Sequence, residues 1–181
     1  MISEYKQLVS MNYINKYKLI ILSILFTLTL SSCFLLYTFK DISINPDVKT
    51  YYVENFQNNA FNSPANLNQS FSEELRSKVR KETSLSYDDN DPDITFSGSI
   101  QSYTVSSQAP KQDGSAVNRL EITIKVLYAN KKSEKENWEK SFSYHSDFPQ
   151  SSSLAQEQDK LIKEIFNFIL DEVINNAFNN W

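Results

Sequence analysis

The sequence predicts an α+β fold: a two-layer sandwich in which two helices cover one face of a four-stranded, mainly antiparallel sheet, in the order β-α-β-β-β-α. Three observations carry that expectation. Leu67, Phe71, Leu75 and Val79 form a stripe at helical spacing. Three segments follow in which apolar and polar residues alternate, the pattern of half-buried strands. A wider helical stripe then runs from Leu161 to the closing Trp181. Helices and strands with one apolar face each are all buried when both helices lie on the same side of the sheet.

The elements follow in order. Asn45-Pro46-Asp47 reads as a turn into the fold. Val48 to Phe56, with Val48, Tyr51, Val53 and Phe56 as its apolar points, reads as the first strand. Gln57 to Pro64, rich in Asn and ended by Pro, is a connection. Asn66 and Gln69 have the spacing of a capping box and start a helix that runs to about Thr83. Arg76, Lys78, Arg80 and Lys81 gather in its last turns, where cations complement the dipole.

In the next segment Ile94, Phe96, Gly98 and Ile100 keep one phase, and the phase then slips to Tyr103 and Val105. A slip of one residue reverses the faces, so a bulge is expected near Gln101 or Ser102. Arg119 to Tyr128 alternates cleanly, with Leu120, Ile122, Ile124, Val126 and Tyr128 on one face. Trp138, Phe142, Tyr144 and Phe148 keep the same period in the last strand, after a charged turn from Asn130 to Asn137. Ser153 and Gln156 mark the start of the final helix.

The N-terminus has a different character. Leu19 to Leu30 is an uninterrupted run of LIILSILFTLTL behind Lys16 and Lys18. As a helix it spans about 18 Å, short of a hydrocarbon core of about 30 Å. A basic segment, a short apolar segment and small residues are the anatomy of a cleaved secretory signal. Leu30-Ser31-Ser32-Cys33 then resembles the bacterial lipobox. A diacylglyceryl group (palmitate-type chains) would be carried on the Cys33 sulfur, and cleavage would follow Ser32. Several acyl chains, each buried methylene contributing about 0.8 kcal/mol, make attachment lasting. The alternative is a buried thiol ending a transmembrane helix, which must recruit Phe34 to Phe39 across two serines and a cysteine. The expected organisation is a signal peptide over residues 1–32, a lipidated tether over 33–47 and a single domain over 48–181.

Charge and composition exclude several functions. The formal charge of the whole chain is −4, and residues 1–32 contribute three lysines against one glutamate, so the remainder stands near −6. Nucleic-acid phosphates need a basic face, and none is expected here. One cysteine excludes an internal disulfide. The two glycines, Gly98 and Gly114, are too far apart to cradle a phosphate together. His145, the only imidazole, has no second histidine or cysteine to complete a zinc site and reads as an exposed strand residue. Asp88, Asp89, Asp91 and Asp93 lack the glycine and closing glutamate of a calcium loop, and no metal is assigned to them. Glu73 with Glu74, and Asp171 with Glu172, are neighbours on different helix faces rather than facing carboxylates. No serine has a base beside it. The chain is therefore not expected to be an enzyme or to hold a cofactor. The unusual feature is Ser106 to Val117, about a dozen polar residues joining strands that a few could join.

Two sets of residues carry a family likeness. One is Asn118-Arg119-Leu120-Glu121-Ile122-Thr123-Ile124-Lys125-Val126 with Asn130-Lys131-Lys132, Trp138-Glu139-Lys140-Ser141-Phe142-Ser143 and Asp147-Phe148. The other is Pro46-Asp47-Val48-Lys49-Thr50 with Phe56, Asn58-Asn59, Asn176-Ala177-Phe178 and Asn180-Trp181. Together they resemble the lipopolysaccharide-assembly lipoprotein family LptE in its more divergent branch, from the lipobox to the last residue. The resemblance implies a lipid-anchored protein on the periplasmic side of the outer membrane. It implies a plug inside the LptD β-barrel that helps the barrel fold and binds lipopolysaccharide, with no nucleic-acid partner. Family members place a long loop in the barrel lumen, and Pro110, Lys111, Asp113 and Gly114 mark the candidate here. Lys111, Arg119, Lys131 and Lys132 are candidate lipopolysaccharide contacts on charge alone, the ordinary reading of each being a solvated cation. The alternative function is a generic envelope lipoprotein, a scaffold or adhesin with no barrel partner.

Overall fold

The computed structural model describes residues 44–109 and 116–178, and Cys33 lies outside them. The described residues form six strands: β1 (Thr50–Val53), β2 (Gln57–Asn58), β3 (Ser86–Tyr87), β4 (Ile94–Ser107), β5 (Val117–Asn130) and β6 (Trp138–Pro149). Two helices, α1 (Leu67–Glu82) and α2 (Leu154–Phe178), accompany them, with a 3-10 turn at Glu134–Glu136. Among the described residues no helix is long and apolar enough to cross a membrane.

The sheet is open and mixed, in the order β3-β1-β4-β5-β6, with β2 also paired to β4. The three long strands form an antiparallel meander, and β1, β2 and β3 pair in parallel. The expectation of four mainly antiparallel strands is therefore corrected to six in a mixed sheet. The reason is physical. β2 and β3 are two residues each, too short to show any period, and a parallel partner across a helical crossover leaves no turn signal.

The three antiparallel strands follow the alternation closely. The register of β4 on β5 shifts between Ile100 and Ser102, so the bulge falls at Gln101. Tyr103 is turned inward beyond it. Leu120, Ile122, Ile124, Val126 and Tyr128 are all buried, and they join the apolar faces of both helices in one core. Phe71 of α1 sits at its centre, edge-on to Phe56 at 5.0 Å and to Phe166 of α2 at 5.1 Å. Truncating a fully buried phenylalanine of this kind to alanine costs about 3–5 kcal/mol.

The first strand breaks where the sequence suggested continuity. β1 pairs with β4 over Tyr51–Val53, β2 pairs with Ser99 and Ile100, and residues 54–56 arch between them. The Phe56 N–H donates to Ser72 Oγ at 2.9 Å, and its carbonyl accepts from Asn68 Nδ2 at 2.8 Å. Side chains of α1 thus replace the ladder partners that the arch gives up. The Phe56 ring lies against Gly98, whose φ of +156° and missing side chain leave it room.

The helix starts differ from each other. Asn66 makes no side-chain cap, and Gln69 Nε2 donates to Glu73 Oε1 at 3.0 Å, so the expected capping box is absent. At α2, Gln156 Oε1 accepts the Ser153 N–H at 3.3 Å, as the spacing predicts.

Candidate functional site

The hairpin of β4 and β5 sets the geometry of the candidate residues. It runs from Ile94 opposite Asn130 to Ser107 opposite Asn118. Both strands extend into the segment expected to be a loop, so the connection shortens to residues 108–116. At its base the Gln108 N–H donates to the Val117 carbonyl at 2.9 Å, and the Gln150 N–H donates to that of Ala116 at 3.1 Å. Pro110, Lys111, Asp113 and Gly114 lie outside the described residues.

Arg119 stands at this end, on the outward face of β5. Its guanidinium grips Asp147 of β6 with two bonds, Nε to Oδ1 at 2.7 Å and Nη2 to Oδ2 at 3.2 Å. The two residues are direct cross-strand partners, which makes the fork possible.

Lys131 and Lys132 stand at the other end. Lys131 Nζ is 2.5 Å from Asp91 Oδ1, and Lys132 Nζ is 3.1 Å from Asp93 Oδ1. Twelve residues of strand separate Lys131 from Arg119, about 40 Å at the rise of an extended chain. These cations therefore do not form one site.

The acidic run before β4 is built into the fold. Asp93 Oδ2 accepts the N–H groups of Lys49 at 2.8 Å and Thr50 at 3.1 Å. Thr50 Oγ1 in turn accepts the Asp93 N–H at 2.9 Å. The Lys49 amide first, and then Lys132 and the Thr50 amide, hold the Asp93 carboxyl at about 2, below the usual carboxylate range. Asp88 Oδ1 accepts the N–H groups of Asn90 and Asp91 and closes the turn. Neither Asp91 nor Asp93 signals its cation from sequence, because each partner is some 40 residues away.

The outward face of the sheet is polar and internally paired. Ser143 Oγ accepts from Thr123 Oγ1 and donates to Glu121 Oε1, both at 3.1 Å, and Lys125 pairs with Glu139. His145 is exposed on this face, its ring 5.8 Å from that of Tyr144. Glu74 is pushed upward by burial, and Asp171 accepts Lys78 at 2.8 Å, tying α2 to α1. Among the described residues no group of three or more His, Cys, Asp or Glu is placed to hold a metal ion. The most conspicuous arrangement missed by sequence reasoning is the parallel stack of Tyr144 on Phe168, 4.0 Å between ring centres. In the sequence Phe168 is one of two candidates, with Ile169, for a stripe position of the last helix, and nothing there points to Tyr144.

Comparison with known proteins adds a family. The model described as LptE, lipopolysaccharide-assembly, matches residues 48–177. The chain is similar to the hypothetical protein CT253 from Chlamydia trachomatis at 10% identity, over 74% of this chain and 99% of that one, with a TM-score of 0.49. It is similar to the rare lipoprotein B from Shewanella oneidensis at 14% identity, over 66% and 90%, with a TM-score of 0.45. For a minor lipoprotein from Acinetobacter baumannii the values are 9% identity, 66% and 88%, and 0.44. No curated protein matches the chain.

Proposed function

The chain belongs to the LptE lipopolysaccharide-assembly family, and on that premise we propose that it is a lipid-anchored lipoprotein on the periplasmic side of the outer membrane. There it plugs an LptD-like β-barrel, helps that barrel assemble, and binds lipopolysaccharide on its way to the outer leaflet. The family match over residues 48–177 is the observation that carries this reading. In it residues 1–32 are the cleaved signal peptide, Cys33 takes the lipid, residues 33–47 are the tether and residues 48–181 the working domain. The role is binding and assembly rather than catalysis.

The arrangement of the ends supports the reading. The described chain begins at Ile44 and enters β1 beside the Asp93 carboxylate. The connection at 108–116 lies at the opposite end of β4, about 45 Å away along fourteen residues of strand. A plug tethered at one end can in this way extend its hairpin into a lumen. Pro110, Lys111, Asp113 and Gly114 would form the tip. Lys111 and Arg119 would meet ligand phosphates there, Arg119 exchanging an exposed carboxylate for a phosphate oxygen. Lys131 and Lys132 would serve only a contact at the tethered end. The polar outward face suits a barrel interior, which is polar as well.

The test is affinity purification of the tagged full-length protein from outer membranes in mild detergent. A stoichiometric, heat-modifiable large barrel carrying lipopolysaccharide is expected. Recovery of the lipoprotein alone, or with a soluble partner, would move the assignment to a generic envelope scaffold. Photocrosslinkers at Lys111 and Gly114 test the tip: capture of the barrel from the helices but never from these two positions would remove them from the lumen.

A further inference from the structure

Among the described residues β6 pairs with β5 alone, so its outer side offers a strand's length of backbone donors and acceptors to a partner. Open edges are ordinarily short, bulged or broken by proline. The opposite edge, β3, has only two residues. β6 has twelve, in unbroken register with β5, and its only proline is the last residue.

A ridge of α2 runs beside this edge. Ser146 Oγ donates to Glu164 Oε2 at 3.0 Å, Tyr144 stacks on Phe168, and Lys140 Nζ donates to Asn176 Oδ1. The four-residue spacing places Glu164, Phe168, Glu172 and Asn176 on one flank of the helix. The other flank carries Asp171, which faces Lys78 of α1. Phe168 is 47% exposed, a large apolar ring held by Tyr144 outside the core. The carboxylates of Glu164 and Glu172 flank it by one turn on each side. Neither belongs to an ion pair among the described residues.

We propose that β6 accepts an extended segment of a partner polypeptide as an added strand, whose inward side chains read basic, apolar, basic and rest on Glu164, Phe168 and Glu172. The spacings agree. Glu164 to Glu172 covers about 12 Å of helix, and alternate residues n−2 to n+2 of a strand cover about 13 Å. The ladder supplies affinity, the Phe168 ledge takes the apolar residue, and the two carboxylates set the register. A slip by one residue would turn all three side chains to the polar face. A second copy of β6 fits less well, since Lys140, Phe142 and Tyr144 bring one cation where the ridge has two carboxylates. This inference stands on the edge and its ridge, and it holds or fails independently of a barrel partner.

The experiment uses the full-length protein in mild detergent and a fluorescein-labelled ten-residue peptide centred on Lys-Thr-Leu-Thr-Lys, followed by fluorescence anisotropy at low salt. Saturable binding is expected, weakened about tenfold by Glu172→Lys and by Phe168→Ala, with a further loss when Glu164→Lys is added. Both single variants should keep the wild-type circular dichroism, which checks their fold. Glu172→Lys should also keep the melting temperature, whereas Phe168→Ala, which loses the stack on Tyr144, should melt a few degrees lower. A peptide with prolines in place of the threonines should not bind, because it cannot complete the ladder. The proposal is overturned by absence of saturable binding, by equal binding of the proline peptide, or by indifference to both single variants. Self-association of the protein that excludes the peptide would overturn it too, by showing a second copy on the edge.

Discussion

Gly98 and Phe56 occupy one space between them: a Cβ on Gly98 would stand 2.7 Å from Cε1 of the Phe56 ring. It would also stand 2.0 Å from the Lys125 carbonyl oxygen, which is backbone and cannot move aside. The arch between β1 and β2 depends on that vacancy, because it leaves room for the buried Phe56 ring against β4.

Gly98→Ala should therefore destabilise the protein by about 3 kcal/mol or more, through steric overlap rather than lost contacts. Urea unfolding of the wild type and the variant measures the difference. A loss below about 1 kcal/mol would mean that the ring and the β5 backbone relax together, and that the packing described here is loose.

Ser72→Ala removes the acceptor for the buried Phe56 N–H while leaving the arch in place. An unsatisfied buried amide costs about 1–3 kcal/mol, so a loss in that range is expected by equilibrium unfolding. A variant as stable as the wild type would show that the arch finds another acceptor.

The Asp93 carboxyl titrates at about 2 in the folded chain, against about 3.9 when unfolded. Its contribution, about 1–2 kcal/mol, is thus complete above the unfolded value and is lost as pH falls toward 2. Asp93→Asn should lower stability at pH 7 and make little difference at pH 2. Melting temperatures across that range test it, and an equal deficit at both ends would remove the charge from the explanation.

Cys33→Ala should leave the protein uncleaved or soluble, since one sulfur is proposed to carry the acyl chains. Metabolic labelling with a palmitate analogue reads the outcome. Label persisting in the variant would sink the assignment of Cys33.

Much of this fold is legible in the sequence, and the reasons are local. Leu67, Phe71, Leu75 and Val79 are all buried because a helix brings every fourth residue to one line. The bulge could be placed near Gln101 or Ser102 because the phase of β4 changes there, and the register sets it at Gln101. What escaped depends on distant partners. β2 and β3 exist only through pairing with β4 and β1, and the arch at Phe56 rests on Asn68 and Ser72 of another element. Charge alone singles out the candidate cations, yet Asp147, Asp91 and Asp93 hold Arg119, Lys131 and Lys132 among the described residues, and only the fold reveals that. The Tyr144–Phe168 ledge joins a strand to a helix that follows it, a juxtaposition no periodicity contains.

The mixed character of the sheet also orders its assembly. The β4-β5-β6 meander closes through connections of nine and seven residues, so it can form early at small entropic cost. β1 must wait for a partner that lies beyond α1, some 40 residues along the chain, and it then gains only three paired positions. Hydrogen exchange should accordingly find the Tyr51–Val53 amides opening more readily than those from Leu120 to Val126. β1, the strand that follows the proposed tether, is then the last to be folded in and the first to let go.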